Sequence, residues 1–162
     1  VPADLDQSIW TYLQLPDDLR FKFDLGAYWM DMASKQWNDS FSASFSSLVS
    51  AVEAFTERGA IHTVYCSSCS SNSSHESPGA TERFRDFFEK FAPGEVARAR
   101  RSEMYKLRSK ISHGGDLMQI DRARSFGWDP PGWNEDQLHR ELWSVTRFAI
   151  RNWLKRAGEV AR

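Results

Sequence analysis

The chain has 162 residues, of which 41% are hydrophobic and 14% aromatic, so it is long and apolar enough to bury a core. This composition excludes an intrinsically disordered chain, and the formal net charge of -1 excludes a strong overall attraction to nucleic acid. The two cysteines are too few for a disulfide framework, which favours a reducing cytoplasm. No run of about 18 apolar residues occurs, so we expect no membrane-spanning helix.

The N-terminal segment VPADLDQSIW has neither a basic region nor an apolar run, so it is not a signal peptide. Because it does not begin with Met, we interpret residues 1–162 as a single domain cut from a longer protein, whose other domains are candidate partners. Residues 1–18 are predicted to be irregular, and Leu15-Pro16-Asp17-Asp18 forms a turn before the first regular element.

Five stretches repeat apolar residues at helical spacing and carry residues typical of helix starts and ends. They run over residues 17–37, 40–59, 81–93, 95–112 and 134–157. The second is predicted to continue until Gly59, and the fourth to end at Gly114-Gly115. No alternation typical of a strand extends over a useful length. The sequence therefore predicts an all-α fold, an antiparallel bundle of about five helices.

Two segments between these helices are predicted to be irregular. Residues 60–80 are rich in Ser and contain both cysteines, which indicates a loop insertion. Residues 116–133 contain Pro130-Pro131, which a regular element does not tolerate.

Charge is spread unevenly along the chain. Residues 1–40 hold seven acidic and three basic side chains, whereas residues 95–113 hold six basic and two acidic side chains, a local excess of four. If the protein binds a polyanion, we expect the second segment to do so. The alternative is a solvated helix face that binds nothing.

The string YKLRSKISHGG in this basic segment places Arg108 five positions before His113, at the end of a predicted helix. Five positions turn a helix by about 140°, so the two side chains do not share one stripe. They converge on one cleft only if His113 lies in the last, frayed turn. A second copy of the helix across a two-fold axis would bring two such pairs together.

Such a cleft suits the cleavage of RNA by its own 2′-hydroxyl. A histidine can take the 2′ proton or give one to the leaving 5′ oxygen, and a guanidinium stabilises the charge on the phosphate. Neither role needs a metal. The alternative is that His113 is a cation facing the helix dipole and Arg108 a surface ion-pair partner. Ser112 is not a nucleophile candidate, since neighbours in sequence rarely share the required geometry.

The string YKLRSKISHGG resembles the R-x4-H signature of HEPN domains, and specifically that of the ApeA-like HEPN group. The helix FSSLVSAVEAF, which carries an acid among apolar residues, resembles the stretch of that group before the motif helix. The segment with Cys66 and Cys69, followed by TERFRDFFEKFAP, also resembles it. The likeness spans residues 20–155, and its most specific part surrounds Arg108.

This resemblance implies a dimeric helical bundle, in a superfamily where many members are metal-independent RNases of toxin, antiviral or RNA-processing systems. Arg108 and His113 match the motif's catalytic pair, and Glu53 matches the acid that orients the Arg or the His. The alternative for Glu53 is an acid that pairs with an Arg only to satisfy its own charge.

The same basic helix supplies four candidate RNA contacts, which are Arg101, Tyr105, Lys106 and Lys110. The alternative for Lys110 is an ordinary solvated lysine.

We therefore expect a metal-independent endoribonuclease that acts as a homodimer on RNA, as the effector of an antiviral defence or toxin system. The alternative is a catalytically silent HEPN module used for dimerisation or ligand binding. Catalysis is expected to need no cofactor.

The loop insertion contains the pattern His62-x3-Cys66-x2-Cys69-x5-His75, which has the ligand count of a structural zinc site. A zinc ion would order a long Ser-rich loop. The alternatives are that the cysteines pair with each other or are free, or that the loop is disordered.

The fourth histidine, His139, lies in the last predicted helix and is expected at the surface or in a groove.

Overall fold

The computed structural model describes residues 4–67, 70–126 and 133–160. Over these residues the chain folds into seven helices and one two-stranded sheet. The helices are α1 Leu5–Leu13, α2 Asp17–Gln36, α3 Phe41–Glu53, α4 Ala80–Phe91, α5 Arg98–Ser112, α6 Gln119–Phe126 and α7 Trp133–Val160. The strands are β1 Ala60–Cys66 and β2 Ser71–Ser77. The prediction of a mainly helical fold is confirmed, whereas the described residues hold more helices than the five predicted.

The helix α3 lies at the centre of the fold and contacts α2, α4, α5, α6 and α7. It begins where Ser40, in an extended conformation, accepts a hydrogen bond from the backbone N–H of Ala43. Such a cap satisfies one of the donors that a helix start leaves unpaired. Its buried apolar residues are Phe41, Phe45, Leu48, Val49, Ala51 and Val52.

Aromatic rings from α4 and α7 close the core around α3. Phe84 and Phe88 of α4 are fully buried and pack edge to face, with ring centroids 5.0 Å apart. Phe55, just after α3, packs against Trp153 of α7 with ring centroids 4.7 Å apart. Buried aromatic rings contribute large apolar areas, so these side chains stabilise the core.

Two regions predicted to be irregular are helical, because contacts distant in sequence stabilise them. The helix α1 lies within residues 1–18 and packs on α7, where Arg151 and Lys155 form ion pairs with Asp4. The helix α6 lies within residues 116–133, and its first N–H donates to Glu135 Oε2 at 2.6 Å. Pro130-Pro131, on which the irregular prediction rested, lies outside the described residues.

Within the segment predicted to be a loop, β1 and β2 pair as an antiparallel ribbon, in which Ala60 pairs with Ser77 and Cys66 with Ser71. Ile61 and Tyr65 are 75% and 63% exposed, so this face of the ribbon does not pack on the core. Strand prediction depends on one buried face, and a ribbon exposed in this way gives no such alternation.

The sequence predicts that Gly59 ends α3 and that Gly114 ends α5, and the structure confirms only the second of these helix ends. Gly59 does not end α3, which stops six residues earlier at Glu53. A Cβ atom on Gly59 would lie 2.6 Å from the carbonyl oxygen of Pro78, so this position requires glycine where the ribbon begins. Gly114 does end α5, as predicted, with a left-handed φ of 68°.

No helix within the described ranges is long and apolar enough to span a lipid bilayer.

Candidate active site

Glu53 at the end of α3 faces the middle of α5 and accepts two hydrogen bonds there. Arg108 Nη2 donates to Glu53 Oε2 at 3.1 Å, and the Tyr105 hydroxyl donates to Glu53 Oε1 at 2.8 Å. Tyr105 and Arg108 lie three positions apart on α5, so their side chains leave the helix on neighbouring rows. The structure thus brings together Glu53 and Arg108, the acid and the arginine that the resemblance pairs.

Water reaches this cluster only in part. The Arg108 and Glu53 side chains are 25% and 30% exposed, whereas Tyr105 is buried. Burial and the hydrogen bond to the Glu53 carboxylate raise the pKa of Tyr105 to about 12, so its hydroxyl stays protonated at neutral pH. The Arg108 guanidinium lies 5.9 Å from the Tyr105 ring centroid, within the range of a cation–π contact.

The guanidinium of Arg108 is bound by Glu53 but does not use all of its hydrogen-bond donors. Of its five N–H donors, Nη2 bonds to Glu53, and the buried Nε makes no hydrogen bond within the described residues. A carboxylate on one side therefore fixes the orientation of the guanidinium, while other donors remain for a second acceptor. A phosphate oxygen is an acceptor of the matching geometry.

His113 occupies the C-cap of α5, where the helix gives way to Gly114. The N–H of Gly115 donates to the carbonyl of Lys110 at 2.9 Å, and that of Gly114 to the carbonyl of Ile111 at 3.0 Å. These two bonds form a Schellman motif. They satisfy helix carbonyls with backbone donors, so the His113 ring is not needed as a cap.

The imidazole of His113 is exposed to solvent and makes no hydrogen bond or ion pair with the described residues. Within one chain the Arg108 side chain turns towards α3, and no contact joins it to His113 across the described structure. A single chain therefore holds one oriented arginine and one free histidine near the same helix end.

The four candidate RNA contacts fall into two groups. Lys106 and Lys110 are exposed, as a phosphate contact requires. Arg101 is 1% exposed, and it donates to Glu89 Oε2 at 2.7 Å and to the Ala92 carbonyl at 3.3 Å. The prediction that Arg101 contacts RNA is wrong for this fold, because its guanidinium is sequestered between α4 and α5. Tyr105 is likewise directed inward, with its hydroxyl committed to Glu53.

The positive charge of residues 95–113 is partly neutralised inside the fold. Arg100 donates to Glu141 at 2.9 Å and to Glu103 at 3.1 Å, and Arg101 pairs with Glu89. The sequence shows the excess of bases on this segment but not the acids that other helices bring to it. The exposed basic side chains of α5 are Arg98, Lys106 and Lys110.

The predicted zinc ligands lie on or beside the ribbon. The backbone register places His62 of β1 directly opposite His75 of β2. Cys69 lies outside the described residues, as do the side chains of Cys66 and His75. Among the side chains that are described, no three of His, Cys, Asp or Glu lie close enough to hold a metal ion. The zinc site remains a prediction from the sequence.

His139 is fully buried, which corrects the expected surface position. Its ring stacks on Trp37 with centroids 4.2 Å apart, and its Nε2 lies 2.9 Å from Ser44 Oγ. Because that hydroxyl already donates to the Ala33 carbonyl at 2.8 Å, Nε2 must be the donor. Burial lowers the pKa of His139 to about 4, so the ring is neutral at pH 7.

Asp121 is a structural residue that the sequence interpretation missed. Its carboxylate accepts from the backbone N–H groups of Phe41 at 2.9 Å and Ser42 at 2.7 Å. It also accepts from the Ser40 hydroxyl at 3.0 Å, so it caps the start of α3 from eighty residues away. Burial raises its pKa, but the hydrogen bonds from Ser42, Phe41 and Ser40 outweigh this effect and leave the pKa below its ordinary value.

Comparison of the chain with protein families, with curated proteins and with solved structures finds no match in any of the three.

Proposed function

We propose that this chain is a metal-independent endoribonuclease of the HEPN type, which acts as a homodimer in an antiviral defence or toxin system. The observation that supports this best is the 3.1 Å bond between Glu53 and Arg108, on the helix that the exposed His113 ends. A fixed cation and a free imidazole near one helix end are the groups that phosphodiester cleavage by a 2′-hydroxyl needs.

In the proposed reaction a base removes the proton of the ribose 2′-hydroxyl, and the O2′–P bond forms. The P–O5′ bond breaks as a proton passes to the leaving oxygen, which leaves a 2′,3′-cyclic phosphate and a 5′-hydroxyl. His113 either accepts the proton of the 2′-hydroxyl or donates a proton to the 5′ oxygen. Arg108 stabilises the negative charge on the non-bridging phosphate oxygens. Glu53 acts through Arg108 as a positioning residue.

A dimer would complete this site. One chain offers a single His113, yet the reaction needs one group to accept a proton and another to donate one. Two copies of α5 related by a two-fold axis would supply two histidines and two arginines to one cleft. Lys106 and Lys110, both exposed on α5, would then flank the cleft and hold the RNA backbone.

The proposal is tested by incubating the chain with mixed RNA in EDTA, beside three variants. We expect cleavage that leaves cyclic phosphate ends, a loss of about a hundredfold or more in His113→Ala, and partial rescue of that variant by free imidazole. Arg108→Ala should lose a similar amount. Arg156→Ala, which removes an exposed arginine of α7 instead, should cut like the parent.

The second candidate is a catalytically silent HEPN module for dimerisation or ligand binding. The observation that favours it is that Arg108 is already paired with Glu53 and makes no contact with His113 in one chain. If sedimentation shows a folded dimer and neither the parent nor any variant cuts RNA, this second function replaces the first. If the parent cuts and His113→Ala cuts equally well, the proposed site is wrong.

A further inference from the structure

An apolar stripe runs along the solvent side of α2. Phe21 is 67% exposed, Leu25 36% and Tyr28 54%, and the half-buried Met32 continues the same line. Their spacings of four, three and four residues are those of a coiled-coil seam, in which successive side chains lie along one side of a helix. We call Phe21, Leu25, Tyr28 and Met32 the α2 seam.

An acidic edge accompanies the α2 seam. Asp17, Asp24 and Asp31 recur at intervals of seven residues, so one carboxylate flanks each heptad, at the position next to the seam that coiled coils use for interhelical ion pairs. All three residues are exposed. Each already has a partner within the fold, since Asp17 lies 3.6 Å from Arg20, Asp31 lies 2.5 Å from Lys35, and Asp24 accepts from the Tyr12 hydroxyl at 2.9 Å. Such exposed contacts contribute little free energy, so the cations of a docked helix can compete with them.

The fold prevents α2 from turning this seam inward. Gly26 lies on the opposite side of the helix and is buried, and a Cβ atom there would lie 2.3 Å from the Phe55 ring. The helix thus packs closely against Phe55, which follows α3, and a larger residue at position 26 would require the Phe55 ring to move. Ala33, two turns further on, is also fully buried, which fixes the rotation of α2 and leaves the seam outside.

We propose that the α2 seam is the docking site for an amphipathic helix of a different protein, whose apolar stripe is flanked by Lys or Arg. Apolar side chains at a/d spacing would interdigitate with Phe21, Leu25 and Tyr28. The basic flank would meet the acidic edge and select this partner over acidic helices. This inference is independent of the proposed ribonuclease activity.

A second copy of α2 does not fit as the occupant. In an antiparallel pair the acidic edges face each other, which sets Asp against Asp. In a parallel pair the acidic edge faces the other flank of the seam, which carries Lys22, Trp29 and Gln36. This flank therefore offers one cation, Lys22, to three carboxylates, whereas a helix flanked by Lys or Arg can offer a cation to each. An anionic lipid surface would be repelled by the same edge.

The test uses two fluorescent synthetic helices of three heptads with identical leucine stripes, one flanked by Lys and the other by Glu. Fluorescence anisotropy with the folded chain should show binding of the Lys-flanked helix that is about tenfold or more tighter, and that weakens as salt is added. Phe21→Ser and Leu25→Ser should each weaken this binding. Both side chains are exposed, so circular dichroism should show the fold unchanged.

Charge reversal gives a second, independent readout. The double variant Asp17→Lys with Asp31→Lys should reverse the preference, so that the Glu-flanked helix binds more tightly. The matched control is Glu82→Lys with Asp86→Lys, two exposed acids of α4 that lie away from the seam, and it should keep the parent preference. An unchanged preference in the seam variant overturns the proposal.

Three further results would also overturn it. The first is that the parent binds neither helix, or both equally. The second is a dimer in sedimentation that Leu25→Ser converts to monomer, which makes a second copy the occupant. The third is binding to phosphatidylserine vesicles that Phe21→Ser abolishes, which makes a lipid surface the occupant.

Discussion

The two ends of α3 hold polar clusters of similar chemistry in very different surroundings. At the C-terminal end Glu53 accepts from Tyr105 and Arg108, and the acid and the arginine are 30% and 25% exposed. At the N-terminal end His139 is fully buried against Ser44, and Asp121 is 7% exposed under the first turn. Both ends place an ionisable group against α3, but only one end admits water.

This difference separates structural groups from groups available to a ligand. A buried polar group is most stable when it is satisfied inside the protein, because leaving it unpaired costs the free energy of its desolvation, as at His139 Nδ1, which has no partner among the described residues. Asp121 meets that demand with three hydrogen bonds to the start of α3. At the C-terminal end of α3 the Arg108 side chain is 25% exposed, so solvent already reaches it. A phosphate oxygen could replace water there without first opening the core.

The largest expected effect is a pH dependence of the free energy of unfolding, caused by His139 at the buried, N-terminal end of α3. With a pKa of about 4 in the fold and about 6.5 when unfolded, His139 takes up a proton on unfolding at any pH between these values. The contribution of His139 to the free energy of unfolding should therefore fall by about 3 kcal/mol as pH drops from 6.5 to 4 and then level off, whereas protonation of Asp121 lowers the free energy of unfolding further below pH 4. Urea unfolding at several pH values measures it. His139→Phe should flatten this slope, whereas the exposed His113→Ala should keep it.

The next largest effect concerns the cap of α3. Asp121→Ala removes the acceptor for the N–H groups of Phe41 and Ser42 and leaves them buried and unpaired. We expect the free energy of unfolding to fall by about 2 kcal/mol, measured in urea at pH 7. Asp39→Ala, an exposed acid near the same helix start, is the control and should change little. A loss of equal size in both variants would contradict the capping role.

A smaller loss of stability is expected at the half-exposed, C-terminal end of α3, where Glu53 lies. Glu53→Gln keeps the size of the side chain but removes its negative charge and one of its two acceptor oxygens, so the side chain can no longer accept from both Arg108 and Tyr105. Stability should fall by about 1.5 kcal/mol. If the site cleaves RNA, the rate should fall by about tenfold or more, because Arg108 is less well oriented. Tyr105→Phe separates the two roles, since it leaves the Glu53–Arg108 pair in place and should affect cleavage less.

The smallest effect is expected just beyond His113. Gly114 has a φ of 68°, and nothing lies within 4 Å of the place where a Cβ atom would sit. Gly114→Ala should therefore cost about 1 kcal/mol, from backbone strain alone. Gly115→Ala is the matched control, since its Cβ would make an ordinary 3.6 Å contact with the Lys110 carbonyl. Thermal unfolding compares the two, and equal losses would argue against the left-handed cap.

Prediction from the sequence succeeded where the signal is local. The helical periodicity from Asp17, the start of the second helical stretch at residue 40 and the stop at Gly114 each involve residues within a few positions of each other. The positions of α2 and of the end of α5 could be read in this way, as could the exposed Lys106 and Lys110. The helix α1 could not, because Arg151 and Lys155 stabilise its start from the other end of the chain.

The candidate site was predictable as a set of residue types but not as an arrangement. The sequence identified Arg108, His113 and Glu53 through a motif and a resemblance. It gave no sign that Tyr105 shares Glu53 with Arg108, or that Arg101 is enclosed by Glu89 and Ala92. Both facts depend on which side of α5 faces α3 and α4, which only the packing of the helices decides.

The sequence by itself therefore determined that this chain is mainly helical, where its longest helices lie and which residues end α5. The tertiary structure decided that Asp121 caps a helix eighty residues away, that His139 is neutral and buried, and that the Ser-rich segment forms a two-stranded ribbon. The physical reason is that periodicity and capping are short-range. Burial, by contrast, and the hydrogen-bond partners that burial demands, arise only when distant segments meet.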